Sequence, residues 1–475
     1  MSQIAKIRKE LEKHGQLHLL RFYDELSDRH RAVLLEQLSA LDLAQMDELI
    51  ARYIRQRPPL ELKGKIAPPP IMPAKPASQA QETEYQAARE KGRQLVGSGK
   101  VAAFVVAGGE GTRLGFQGPK GCLPVTPVTH KSLFQVFAEQ ILAACRRYKV
   151  TIPWYVMTSQ SNDVPIRAFF RQNRFFGLSA DDVFFFVQGT MPAIGFDGRL
   201  LLAEKGSLAL SPDGHGGCLQ ALRRSGALAD MARRGIELIS YFQVDNPLVR
   251  CIDPLFLGLH QLRGAEMSAK ALPKRDPMER VGNFCLLDGK VTVIEYSDLP
   301  QALAMATTED GRLRFGAGSI AIHVLSRQFV ERLTADGKPP LPFHRAEKAV
   351  PFVDEAGDLV QPDKPNAVKL ETFVFDAMPL ARQTVVLEIE RGQEFSPVKN
   401  ATGPDSLTSS LHDQVRRAAA WLERAGLAVP RDADGQIAAA IEISPLLADS
   451  AEDLAGKVDP KKTTIVAGQN LYLGD

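Results

Sequence analysis

None of the five cysteines of this chain, Cys122, Cys145, Cys218, Cys251 and Cys285, has the C-x-x-C spacing, and together they make no even set. A disulfide framework is thereby excluded, and the usage suits a reducing compartment. No window approaches 18 consecutive apolar residues, so no membrane span is expected. The opening stretch Met-Ser-Gln-Ile-Ala-Lys-Ile-Arg-Lys-Glu is charged throughout and lacks the apolar core of a signal peptide. Charge of neither sign is in excess: 58 Lys and Arg stand against 56 Asp and Glu, leaving +2. There is no long basic stripe, and hence no footing for nucleic-acid binding. A cytoplasmic protein is expected, without nucleic-acid or membrane partners, as a monomer or weak homodimer.

What is present is an ordinary globular profile, with 44% hydrophobic and 24% charged residues among 475. At about 100–200 residues per domain, two to four domains are expected. Residues 3–57 read as helical: Ile4, Ile7 and Leu11 share a face, and His14-Gly15 stops that helix. Ser27 or Asp28 can cap the next helix and Asp42 the one after. Pro58 and Pro59 end the run. Pro68, Pro69, Pro70, Pro73 and Pro76 then mark an extended linker, followed by a helix at about 82–97. The expected layout is a helical N-terminal domain (1–60), a linker (61–81), a main domain (82–400) and a small C-terminal domain (401–475) opening with a helix near 408–425.

In the main domain, short apolar runs alternate with helical patterns. Val101–Ala107, Trp154–Thr158, Val183–Val187 and Ile236–Val244 read as buried strands. Ser132 and Gln135 predict a capping box for a helix in which Leu133, Phe137, Ile141, Ala144 and Tyr148 share a face. The alternation implies a doubly wound α/β sheet with helices on both faces.

The most informative stretch is Val106 to Gly121. Gly108, Gly109, Gly111 and Gly115 follow an apolar strand, with Arg113 and Lys120 set among them. Glycine lets the backbone approach a ligand closely, free N–H groups in such a loop form an anion concavity, and the cations add charge-assisted bonds to phosphate. Two familiar loops are excluded. A P-loop needs Gly-Lys-Ser/Thr, but Val101 follows Gly99-Lys100; a dinucleotide fingerprint needs a third glycine where Leu114 stands. The loop therefore predicts a nucleoside triphosphate site of another type.

Three further features carry chemistry. Asp245, in Phe242-Gln243-Val244-Asp245-Asn246, falls where a core strand ends, which suits either a Mg²⁺ ligand or a turn residue. Ser211-Pro212-Asp213-Gly214-His215-Gly216-Gly217 suits a backbone lying against a flat base, or equally a tight turn. His215 belongs to no Cys/His cluster of the kind that binds metal. Lys369 and Lys399 fall in polar loops, and their pattern alone selects neither.

The sequence Gly-Gly-x-Gly-Thr-Arg-Leu-Gly, then Pro-Lys-Gly, then His130-Lys131-Ser132-Leu133-Phe134-Gln135, resembles the UDP-N-acetylhexosamine pyrophosphorylases. The likeness extends over Gly15-Gln16-x-His18-Leu19-Leu20-Arg21-Phe22, Pro153-Trp154-Tyr155, Gln188-Gly189, Val244-Asp245-Asn246 and Glu295-Tyr296-Ser297. It continues through Phe373-Val374-Phe375-Asp376, Glu394-Phe395-Ser396-Pro397-x-Lys399-Asn400 and Ile443-Ser444-Pro445-Leu446. The resemblance implies a mixed, mostly parallel nucleotidyltransferase (Rossmann-like) sheet. It also implies uridylyl transfer: UTP and a sugar 1-phosphate give a UDP-sugar and pyrophosphate, with Mg²⁺.

By that resemblance Gly108, Gly109, Gly111 and Thr112 cradle the nucleotide, with Arg113 and Lys120 on its phosphates. Gln188 and Gly214, with His215 beside it, meet the uracil. Asp245 binds the metal. Asn246, Gly282, Glu295, Tyr296 and Ser319 line the sugar pocket near Phe373 and Phe375, while Lys369 and Lys399 hold the sugar phosphate. Two positions depart from the family: His215 replaces an Asn in Pro-Asp-Gly-Asn-Gly-Gly, and Ser319 replaces the second Asn of Asn-Ala-Gly-Asn-Ile-Ala. One lost hydrogen bond is worth about 0.5–1.5 kcal/mol, too little to abolish binding but enough to alter preference among sugars. The leading expectation is N-acetylglucosamine 1-phosphate. Glucose or galactose 1-phosphate is the alternative substrate, and a non-catalytic nucleotide-sugar sensor or an interaction protein acting through its N-terminal helices are alternatives of other classes.

Overall fold

The apolar runs marked as strands lie in one ten-stranded sheet, seen in a computed structural model that describes residues 2–56 and 64–474. Pro58 and Pro59 lie outside the described residues. In chain order the strands are β1 (Ile66–Ala67), β2 (Val101–Val106), β3 (Trp154–Thr158), β4 (Val183–Val187) and β5 (Leu238–Gln243). After these come β6 (Met267–Pro273), β7 (Asn283–Leu287), β8 (Lys290–Ile294), β9 (Ala317–Ser326) and β10 (Thr384–Glu388). The order is β1-β7-β9-β5-β2-β3-β4, with β8 beside β7 and β6 linking β9 to β10.

The sheet is mixed. Strands β5, β2, β3 and β4 are mutually parallel, as are β6 and β10, whereas β9 runs antiparallel to β5, β6 and β7. Gln243 lies opposite Val106, Val106 opposite Met157, and Thr158 opposite Val187. Four strands thus end level, and everything that follows them emerges at one edge. Residues Val101–Val105 and Trp154–Thr158 are buried along their whole length, the continuous apolar pattern of parallel strands covered on both faces.

The proline-rich segment is extended but pinned to this sheet. Ile66 pairs with Leu287, and Met72 donates its N–H to the Val386 carbonyl (2.9 Å) and accepts from Glu388 N–H (2.8 Å). Proline lacks the donor a ladder needs, so the residues between the prolines make these bonds. The helix Leu133–Tyr148 begins at Ser132, whose Oγ accepts from Gln135 N–H (3.2 Å). The predicted box is only half made, because the Gln135 side chain bonds to Glu139 instead (3.0 Å). A full box forms elsewhere, between Ser406 and Ser409, opening the helix Leu407–Arg424.

The chain divides into two compact units, Met1–Lys63 with Gly189–Gly217 and Leu341–Val374, and Gly64–Gln188 with Cys218–Pro340 and Phe375–Asp475. In the first, the N-terminal helices include Gln3–Lys13, Asp28–Ser39 capped by Ser27, and Leu43–Leu49 capped by Asp42. Their apolar face (Leu11, Leu19, Leu34, Leu38) packs on Ile194, Leu200, Leu202, Leu208, Val368 and Leu370. The buried Gln16 amide closes two backbone groups of that partner segment, Gly198 O and Leu200 N, both at 3.0 Å. In the second unit, Trp421, Leu422, Leu427, Ile441 and Leu454 form a small core near the C-terminus. Glu442 from this region accepts from Val128 N–H (3.0 Å) and Thr129 N–H (2.8 Å), and Tyr472 Oη receives Lys131 Nζ (3.0 Å). No helix among the described residues is long and apolar enough to cross a membrane.

Candidate active site

Open parallel sheets present ligand sites at the carboxyl ends of their strands, because the loops there converge where helix N-termini and free N–H groups face solvent. The glycine loop leaves β2, Asp245 leaves β5, Ser159 leaves β3 and Gln188 leaves β4, all at that edge.

The loop is a tight hairpin held by Gly111 N–H to Gly118 O (2.9 Å) and Lys120 N–H to Gly109 O (3.1 Å). Gly115 closes a 3₁₀ turn with φ +72°, a left-handed conformation that glycine adopts without strain. A Cβ on Gly111 would lie 2.7 Å from the Phe116 ring, and one on Gly108 would lie 2.8 Å from Gln188 Oε1. Nothing comes within 4 Å of the same position on Gly109. The N–H groups of Gly108 and Gly109 have no acceptor among the described residues. They form an open cradle with Gln188 beside it. Thr112 and Arg113 are exposed, Lys120 is half-buried, and neither cation is in an ion pair among the described residues. Sequence reasoning missed the brace of this loop. Asn162, 1% exposed, donates to the carbonyls of Ala107 (3.2 Å) and Gly109 (3.5 Å), and its Oδ1 accepts from Ser159 N–H (2.8 Å). Its only sequence signal is its place just after a buried strand.

Asp245 and Lys399 are brought together from 154 positions apart: Lys399 Nζ stands 4.0 Å from Asp245 Oδ2. Val398 N–H donates to the Asp245 carbonyl (2.8 Å), so the backbone sets the pairing. The carboxylate has no other partner among the described residues. Asn246 is buried, donating to the Glu394 carbonyl (2.7 Å) and accepting from Leu248 N–H (3.2 Å) and Ser396 N–H (3.1 Å). A third group gathers Gly282, Glu295 and Ser319. Ser319 N–H donates to Gly282 O (2.7 Å), and a Cβ on Gly282 would lie 3.6 Å from Glu295 Oε1. Tyr296 is exposed on the turn after β8. Phe375 is buried.

In the other unit, Gly214 has φ +83°, and its missing Cβ would lie 2.3 Å from Thr372 O. Gly216 N–H bonds that carbonyl at 2.8 Å. The close approach that these glycines permit is therefore to a neighbouring backbone. His215 stacks on Phe373 (centroids 5.2 Å, 19°), and Phe373 on His344 (4.4 Å, 29°). Lys369 is not in a loop as its polar surroundings suggested. It sits within the strand Ala367–Glu371, opposite Ala346, because Val368 and Leu370 alternate with it into the core.

Burial, with His344 nearby, pushes the His215 pKa down to about 4. His215 Nδ1 accepts from Val374 N–H (3.2 Å), which requires the neutral ring. As pH falls from about 6.5 toward 4, the unfolded chain takes up a proton that the folded ring refuses. Stability present at neutral pH is lost across that window, by about 2–3 kcal/mol between pH 7 and pH 4.5. Urea midpoints at those two values should fall further for the native protein than for His215→Asn; equal falls would refute the neutral ring.

A mixed sheet whose four parallel strands end level at a glycine loop, with a carboxylate and a lysine at the adjacent strand, is an α/β fold built to hold a nucleotide. The sequence model of the UTP–glucose-1-phosphate uridylyltransferase family matches residues 44–420, and the chain belongs to that family. It is 38% identical over 479 residues to UDP-N-acetylhexosamine pyrophosphorylase-like protein 1 of Homo sapiens, covering 96% of this chain and 94% of that one. Identity to UDP-N-acetylglucosamine diphosphorylase 2 of Arabidopsis thaliana is 35% over 465 residues, 94% and 89% of the two chains. The crystal structure of the uridine diphosphate N-acetylglucosamine pyrophosphorylase from Trypanosoma brucei shares the fold with TM-score 0.83 at 24% identity, covering 100% of this chain and 99% of that one. The protein is a UTP-dependent sugar-1-phosphate uridylyltransferase.

Proposed function

We propose that this enzyme converts UTP and N-acetylglucosamine 1-phosphate to UDP-N-acetylglucosamine and pyrophosphate with Mg²⁺. The observation that carries the reading is the meeting of Asp245 and Lys399 at the strand next to the open glycine cradle. The sugar follows the names of the relatives, several of which are N-acetylglucosamine enzymes.

The nucleophile is a phosphate oxygen whose second pKa is about 6, ionised near neutrality, so no general base is required. The obstacle is an anion attacking an anionic α-phosphate in line. Free N–H groups of Gly108 and Gly109, with Arg113 and Lys120, hold the triphosphate and offset the charge that builds up. Lys399 draws the attacking phosphate toward the α-phosphorus, and positioning with electrostatics supplies the rate. Asp245 fits a Mg²⁺ ion: among the described residues it is one carboxylate with a single cationic neighbour and no competing donor. Mg²⁺ takes one or two carboxylates and completes its shell with phosphate and water. When bound, it neutralises triphosphate oxygens.

Ser319 is the observation that favours a second reading, an unacetylated sugar, because it is shorter than the Asn of the family motif. Pyrophosphate release measured with UTP and a panel of sugar 1-phosphates should be fastest with N-acetylglucosamine 1-phosphate. A strong preference for glucose or galactose 1-phosphate would replace the acetylated sugar, and binding of UDP-sugar without release from any of them would point to a sensor.

A further inference from the structure

We infer that Asn246 is a positioning residue that acts through Lys399, rather than a sugar ligand; the inference rests on the uridylyl-transfer reading above. An amide offers two lone pairs and two N–H donors. Both lone pairs of Asn246 Oδ1 are taken, by Leu248 N–H (3.2 Å) and Ser396 N–H (3.1 Å). One N–H is spent on the Glu394 carbonyl at 2.7 Å, and the residue is 4% exposed. What remains for a ligand is a single hydrogen.

Those bonds fasten the segment Glu394–Lys399 to the turn after β5. The same segment is held from its other side. The Glu394 carboxylate is ion-paired to Lys270, which also bonds Asp253 Oδ2 at 2.6 Å and whose side chain is 0% exposed. Burial works against the Lys270 charge, but its two carboxylates outweigh it and raise the pKa above the ordinary lysine value. The node stays ionised. Ser396 Oγ donates to Asp413 Oδ2 (2.7 Å), and Ser410 Oγ donates to the Ser396 carbonyl (2.9 Å). Three residues further on, the Lys399 side chain is 43% exposed, and the contact with Asp245 at 4.0 Å depends on where the backbone presents it. A long, half-free side chain has no rigidity of its own. Asn246 and the buried Lys270 node therefore fix the distance between the lysine and the carboxylate that flank the reacting phosphates. A misplacement of about 1 Å at such a site can cost about 10²-fold in rate.

The test is a double-mutant cycle on the full chain, read by pyrophosphate release. Asn246→Ala should lower kcat about 10²-fold, with little change in KM, and by the same factor for every sugar 1-phosphate. In a Lys399→Ala background the same change should cost little more, since its effect is already lost. Asn246→Asp, which keeps both accepting bonds and loses the donated one, should fall between. Should Asn246→Ala fail to fold, Glu394→Gln leaves Lys270 its Asp253 partner and disturbs the segment from the other side, and its cycle with Lys399 should be equally non-additive. Independent, multiplicative losses overturn the inference, as does a defect confined to KM for acetylated sugars, which marks a ligand. A native enzyme inactive with every sugar 1-phosphate overturns the functional reading and this one with it; an active native enzyme with independent effects overturns only this one.

Discussion

Asp245→Ala, Arg113→Ala and Lys120→Ala each lower kcat by about 10²–10³-fold with the fold intact, the usual loss for one preorganised charge-stabilising contact. The structural cost of these changes is small, which makes the kinetic effect readable. Arg113 is exposed and, like Lys120, makes no ion pair among the described residues. Among the described residues Asp245 has only Lys399, at 4.0 Å and with that lysine 43% exposed, a pair worth at most about 1 kcal/mol. Two cations without ion pairs among the described residues, set beside free N–H groups, are what the proposed triphosphate site requires. Circular dichroism and thermal midpoints should stay within a few degrees of the native protein while turnover collapses. Near-native turnover in a folded Arg113→Ala protein would remove the loop from the mechanism.

Gly92→Ala and Gly258→Ala are the substitutions expected to damage the fold most. The helices Gln79–Gly97 and Pro254–Leu262 cross with backbones in contact. A Cβ on Gly92 would lie 1.8 Å from Pro254 O, and one on Gly258 would lie 1.7 Å from Ala88 O. The contact is reciprocal, each glycine lying over the residue four before the other. Two effects oppose: alanine favours a helix interior by about 1 kcal/mol over glycine, whereas overpacking costs about 1–3 kcal/mol or more. An overlap of more than 1 Å with backbone atoms cannot be relieved by a rotamer, so the second effect wins. Each variant should lose about 2 kcal/mol or more, read from urea midpoints. Gly97→Ala, in the same helix with nothing within 4 Å of its Cβ, should be neutral or stabilising, and an equal loss there would show that packing is not the cause.

Much of the molecule was legible in the chain. Buried parallel strands write themselves as unbroken apolar runs, and all four of the runs read as strands took their places in the sheet to within a residue or two. Helix starts at Ser27, Asp42 and Ser132 were visible because a side-chain oxygen accepting an N–H two or three residues on is a local bond. The glycine loop was legible for the same reason, its spacing being a local backbone requirement.

The failures share one property. Ser211–Gly217 read equally as a backbone against a flat base or as a tight turn, and that Gly214 and Gly216 lie against the backbone of Thr372 is something no local pattern announces. Lys369 read as a loop residue because its polar neighbours hid the two apolar residues alternating with it. Lys270 gave no signal, Asn162 only its place after a buried strand and Glu394 only its place in a motif of the resemblance, since each owes its role to partners far along the chain.

The sequence alone determined four buried strands, the glycine loop and, through its resemblance, the class of reaction, because apolar runs, caps and glycine spacing are patterns local to the chain. Only the tertiary structure decided that Lys399 meets Asp245, that the Asn246 amide bonds Glu394, Leu248 and Ser396, and that the N-terminal helices share a core with residues 189–217 and 341–374. Such contacts are set by packing and burial summed over the whole chain.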